Sequence, residues 1–127
     1  MKNRTLLTYL ILTFSSIASA SKTPETLAMV YQEQLNNGNI EQALAYWLPR
    51  KAAQFKKDNG LVLSQLFGDI EIIKNTINGS CNNSSCKVFA QFKNNDNELQ
   101  QVIYTFEGVN NLKLSNVQTH GYRYGGS

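Results

Sequence analysis

Histidine and tryptophan occur once each, proline and cysteine twice each, and charged residues make up only 17% of the chain. Each scarcity closes off a class of chemistry. His120 has no second member to orient its imidazole, so it reads as a surface residue and not as a general base. Cys81 and Cys86 have no histidine or carboxylate cluster beside them, so neither a metal site nor a cofactor is expected. No Gly-rich phosphate loop and no nucleophile elbow occurs. The basic surplus is small too: without Lys2 and Arg4, the 12 basic residues fall to 10 against 9 acidic ones, a formal charge of +1. What remains is scattered, grouped only at Arg50-Lys51 and Lys56-Lys57, the pattern of solvated helix faces, and no nucleic-acid partner is expected. Beyond residue 20 no apolar run approaches the ~20 residues a membrane-spanning helix needs. There is no internal repeat and no interdomain linker.

The first 20 residues have a basic start (Lys2, Arg4), an apolar stretch from Leu6 to Phe14 interrupted by Thr8 and Thr13, and a small-residue end, Ala18-Ser19-Ala20. That is the composition of a cleavable secretory signal, with cleavage expected after Ala20 and a mature chain in the periplasm or secreted. Residues 21–127 then form one domain. An exported chain meets an oxidising compartment, and Cys81 and Cys86 bracket the turn Asn82-Asn83-Ser84-Ser85, so a disulfide between them is predicted. A redox pair would more often show tighter spacing. Three Asn-x-Ser triplets crowd the same turn, at Asn78, Asn82 and Asn83, and are read as incidental.

From Asp69 to Val117 the pattern is a meander of four strands: DIEIIKNTI, CKVFAQFK, ELQQVIYTFE and LKLSNV. Successive side chains of a strand point to opposite faces. Val88, Ala90, Phe92, Val102, Tyr104 and Phe106 therefore share one apolar face, continued by Leu112 and Leu114. A common register of that kind requires odd-length loops or a bulge. On the opposite face Ile73, Phe89 and Ile103 stand among Gln91, Gln101 and Thr105, large apolar residues that mark a candidate interface. Asp69 and Glu71 alternate outward, opposite Ile70 and Ile72.

Before the sheet come helices. Thr23 caps the first, with Pro24 at its first position, and Leu27, Val30, Tyr31 and Leu35 form its stripe. Asn39 with Gln42 suggests a capping box for a second helix, whose stripe is Ile40, Ala43, Leu44, Trp47 and Leu48. A third is expected from Pro49 to about Asp58 with Ala52 and Phe55 inward, and a fourth from Leu61 to Phe67 with Val62, Leu63, Leu66 and Phe67 inward. From about residue 121 the chain, GYRYGGS, has no periodicity and reads as a loose tail. Helices first and a meander after them predict an α+β fold, the helices covering one face of the sheet.

The run PETLAMVYQEQLNNGNIEQALAYWL, a helix, an Asn-Gly break and a second helix ending in an aromatic, is similar to the opening of small exported bacterial domains of the nuclear-transport-factor-like (cystatin-like) superfamily, the branch related to lumazine-binding-like domains. The resemblance implies a curved sheet around a cone-shaped pocket, and an outer sheet face that often meets a second copy. Tyr31, Trp47, Phe55, Tyr104 and Phe106, with Tyr46, are the candidate pocket residues; their spacing alone makes them ordinary core. Enzymes of that superfamily set an acidic or histidine base opposite a tyrosine or a protonated acid, and this chain carries no such base on its apolar face, so no catalytic residue is assigned. The expected function is a soluble, non-catalytic binding protein whose partner is another protein, a twin in a homodimer, or a small apolar ligand. An immunity protein or an envelope-assembly accessory would fit. The alternatives are an isomerase- or hydratase-like enzyme and a self-associating structural module.

Overall fold

The structure, a computed structural model, describes residues 23–119 and 122–124. The expected signal at 1–20, His120 and most of the expected tail lie outside them. Helix α1 (Pro24–Asn36) begins as the sequence predicts: Thr23 Oγ1 accepts from the Thr26 N–H at 3.2 Å, with Pro24 at the first position. It ends because Gly38 takes a left-handed φ of 78°. The Gly38 N–H then bonds the Leu35 carbonyl and the Asn39 N–H the Gln34 carbonyl, which satisfies two C-terminal acceptors. The buried side is Ala28, Tyr31, Gln32 and Leu35. Val30, expected inward, is 37% exposed, and Gln32 takes a place in the interior.

Helix α2 (Ile40–Leu44) is one turn shorter than its stripe implied, and no capping box forms. Asn39 instead donates from Nδ2 to Gln34 Oε1 at 2.9 Å. Trp47 therefore lies beyond the helix, in a parallel bridge with Leu114. The Leu48 N–H donates to the Leu114 carbonyl at 2.9 Å and the Leu114 N–H to the Tyr46 carbonyl at 2.7 Å. Helix α3 (Pro49–Lys56) starts at Pro49, whose missing N–H costs nothing at that position, and buries Phe55. Helix α4 (Leu61–Phe67) buries Leu63 and Phe67, while Val62 is exposed. Its first amides are held by Asp58, whose two carboxylate oxygens accept from the Gly60 and Val62 N–H groups at 3.0 and 3.1 Å.

The sheet is an antiparallel meander with each strand beside its sequence neighbours: β1 (Asn78–Cys81), β2 (Ser85–Lys93), β3 (Leu99–Glu107), β4 (Lys113–Thr119) and β5 (Tyr122–Tyr124). The predicted common register holds. Val88 pairs with Tyr104 and Ala90 with Val102 across a five-residue turn between Lys93 and Leu99. A bulge between Thr105 and Phe106 then brings both Leu114 and Val117 of β4 onto the same face. Together with the helices this face makes one core, and the fold is α+β.

Two ends of the meander differ from expectation. Residues 69–77 are not a continuous strand. Ile72 bridges Phe92 once, then a 3₁₀ turn at Lys74–Thr76 interrupts the ladder. Within it Thr76 Oγ1 accepts from the Gln91 N–H at 2.9 Å, standing in for a backbone acceptor. The turn absorbs the break in alternation at Ile72-Ile73, and pairing resumes at Asn78 opposite Phe89. At the other end, Tyr122–Tyr124 pair with β4 and are no loose tail.

Candidate functional site

Of the residues offered as pocket walls, all but the half-buried Tyr46 have almost no access to solvent. Tyr31, Tyr104 and Phe106 are 0% exposed, Trp47 1% and Phe55 3%. A side chain lining a water-sized cavity would show accessible surface, so these rings fill the space between helices and sheet with one another. Tyr31 meets Tyr46, Trp47 and Tyr104 edge-on at centroid distances of 6.1 to 6.2 Å, and Trp47 meets Phe55 at 4.7 Å. Edge-to-face packing suits the ring quadrupoles.

The polar atoms inside that cluster are engaged. Trp47 Nε1 donates to Tyr31 Oη at 3.1 Å, and the Tyr104 hydroxyl donates to Gln32 Oε1 at 2.6 Å. Gln32 Nε2 donates in turn to the Phe67 carbonyl and to Asn36 Oδ1, both at 2.8 Å. Asn36 completes the chain by bonding both backbone groups of Ile70, accepting from its N–H at 3.2 Å and donating to its carbonyl at 2.8 Å. Burial pushes both phenol pKa values well above the ordinary tyrosine range. For Tyr31 the Trp47 hydrogen bond partly offsets burial, and for Tyr104 the Tyr31 hydroxyl adds to it. Both phenols are therefore neutral and sealed in the core, Tyr31 accepting from Trp47 and Tyr104 donating to Gln32. No sequence signal identified Gln32 or Asn36, because an amide on an amphipathic helix ordinarily belongs to its wet side.

The three interface candidates are brought onto one surface, as alternation required. Phe89 and Ile103 are direct cross-strand partners, and Ile73 donates its N–H to the Gln91 carbonyl on the neighbouring row. All three are half-buried on the sheet face turned away from the helices. Exposed charges flank them: Lys87 and Lys93 on β2, Glu107 at the end of β3 and Glu98 just before it. At that end a cleft of about 590 Å³ opens between Leu99, Gln101, Ile103 and Gln118. Leu99 is 59% exposed there, a feature the strand pattern alone did not single out.

The disulfide is formed. Cys81 and Cys86 are paired residues at the last rung of the β1–β2 hairpin, with Cα atoms 4.0 Å apart. Asn82 Oδ1 organises the turn by accepting from the Ser84 and Ser85 N–H groups at 3.1 and 2.9 Å. Asp69 and Glu71 are exposed, as their alternation predicted. Among the described residues, no group of three or more His, Cys, Asp or Glu side chains is placed to hold a metal, and no helix is long and apolar enough to cross a membrane. No protein-family model matches the chain, and neither a curated protein nor a solved structure does.

Proposed function

We propose that the chain is exported, loses residues 1–20, and acts in the periplasm or outside the cell as a non-catalytic binding protein built as a twofold dimer. The observation that carries this reading is the apolar row of Phe89 and Ile103 on the sheet face that the helices leave uncovered. A second copy is the occupant that the flanking charges favour. With a twofold axis along the strands between β2 and β3, each cationic β2 lies over the partner's β3. Lys87 then approaches Glu107, and Lys93 approaches Glu98, of the other copy. An isologous contact of this kind is the commonest way for a soluble protein to close an assembly. The sealed tyrosines weigh against the alternative of an isomerase- or hydratase-like enzyme, since a substrate would have to reach them. The superfamily suggested by the two-helix opening remains part of the proposal, and its outer-face dimers agree with it.

Changing Phe89 and Ile103 together to Lys tests the contact, because neither belongs to the central core and the axis sets residue 89 of one copy over residue 103 of the other, so that like charges meet. Sedimentation should give a dimer for the native protein and a folded monomer, by circular dichroism, for the double variant. A native protein that sediments as a monomer at every concentration would sink the reading.

A further inference from the structure

Between α1, α2 and the β3–β4 turn lies an open groove of about 610 Å³. That volume lies within the range of about 300–1,000 Å³ typical of small-molecule sites. Leu27, Tyr46 and Leu112 form an apolar floor that packs on the core. Val109 overhangs it from the turn, 79% exposed, where a valine gains nothing from water. Gln34, Gln42, Asn110 and Asn111 supply a neutral amide rim. Lys113 is the only charged residue of the lining. Its ammonium is fixed in place by donating to the Ala45 carbonyl at 2.7 Å, which leaves two of its three N–H donors for another acceptor.

We infer that this groove binds a medium-chain alkyl carboxylate, with the carboxylate on Lys113 and the chain laid over Leu27, Tyr46 and Leu112 beneath Val109. One anchored cation matches a monoanion, whereas a phosphate monoester carries about −1.5 to −2 and calls for more donors. An alkyl chain also suits the floor better than a peptide does. Peptide N–H and C=O groups set over Leu27 and Leu112 would lose water without finding partners, which carries a desolvation cost. The inference rests on the reading of this chain as a binding protein but not on its dimer contact.

Titrating the disulfide-bonded protein with decanoate, and with 1-decanol as the uncharged control, tests the inference by backbone amide shifts. Decanoate should bind saturably and move the amides of Val109 to Lys113 and of Leu27. Decanol should bind more weakly. Lys113→Gln should weaken decanoate by about fivefold, the upper end for an exposed ion pair, and leave decanol unchanged. Val109→Ser, at an exposed turn tip where folding is not at stake, should weaken both. The Phe89/Ile103 double variant should still bind decanoate, so loss of the dimer and loss of this site are distinguishable. Equal affinity for decanoate and decanol, an unchanged Lys113→Gln variant, or no saturable shift would each overturn the inference. So would tighter binding of a short peptide ending in a leucine carboxylate, which would make the groove a peptide site.

Discussion

Tyr104 keeps its proton because its hydroxyl is closed off from water and donates to Gln32 Oε1. In the unfolded chain a tyrosine releases its proton near pH ~10, while the folded protein retains those of Tyr31 and Tyr104 to higher pH. Their raised folded pKa values leave stability intact below about pH 10 and erode it as pH rises, because unfolding then releases protons. Urea unfolding should show this alkaline loss. Tyr104→Phe should make it shallower by up to one proton, about 1.4 kcal/mol per pH unit. At pH 7 the same substitution should cost ~1–3 kcal/mol, since Gln32 keeps a buried acceptor with nothing to accept. Identical alkaline slopes would mean that Tyr104 titrates in the folded protein. Reading the sequence at this scale succeeds where size and polarity agree, as for Trp47, Phe55 and Phe106, whose burial followed from bulk. Gln32 is invisible for the opposite reason: its neighbour Val30 has the better apolar side chain, yet the buried amide holds α1 to the sheet through Tyr104 and to α4 through the Phe67 carbonyl.

Strand β1 buries little of itself in the sheet. Three of its four residues are exposed and the fourth, Gly79, has no side chain to bury. The Glu25 carboxylate lies 2.7 Å from where a Cβ of residue 79 would sit, so any larger residue there would have to push that flexible side chain aside. Besides its short ladder, what keeps β1 on β2 is the covalent bond at Cys81–Cys86, where closure of so short a loop stabilises at or below the low end of ~2–4 kcal/mol. Reduction should therefore abolish hydrogen-exchange protection of Gly79 to Cys81 while leaving Val88, Val102 and Tyr104 protected. Global loss of protection would instead make the disulfide a support of the entire domain. Strands β2 and β3 were readable because each alternates through a buried face, whereas β4, buried at four successive residues beside the bulge, was readable only from Leu112 and Leu114. β1 was not, since NGSC has no alternation, and the isoleucines before it pointed to a strand that the 3₁₀ turn at Lys74–Thr76 interrupts.

For the whole molecule, fold class was legible from element order alone, helices and then a meander, because a stripe and a half-apolar sheet have few ways to cover each other. Spacing already made the supposed pocket residues ordinary core, against the cone that the resemblance implied; how tightly they seal was not legible. Whether aromatic rings enclose space or fill it depends on sub-ångström packing that spacing does not encode. Export is checked directly by mass spectrometry of protein recovered from its native host without reductant: the chain should begin at Ser21 and carry no free thiol. A retained Met1 would remove the proposed compartment. The bridge between Trp47 and Leu114, with its paired Tyr46 and Leu48 backbone bonds, has a consequence for how this chain comes into being. A polypeptide emerges amino end first, from a ribosome or through a translocation channel, so α1 to α4 arrive with their apolar sides uncovered. Their cover is β2 to β4, and the clasp that joins the layers waits for Leu114, close to the carboxyl end. Until β2 and β3 arrive the helices have only one another to pack against. The period of greatest exposure to proteases and to misassociation therefore ends only when β4 arrives.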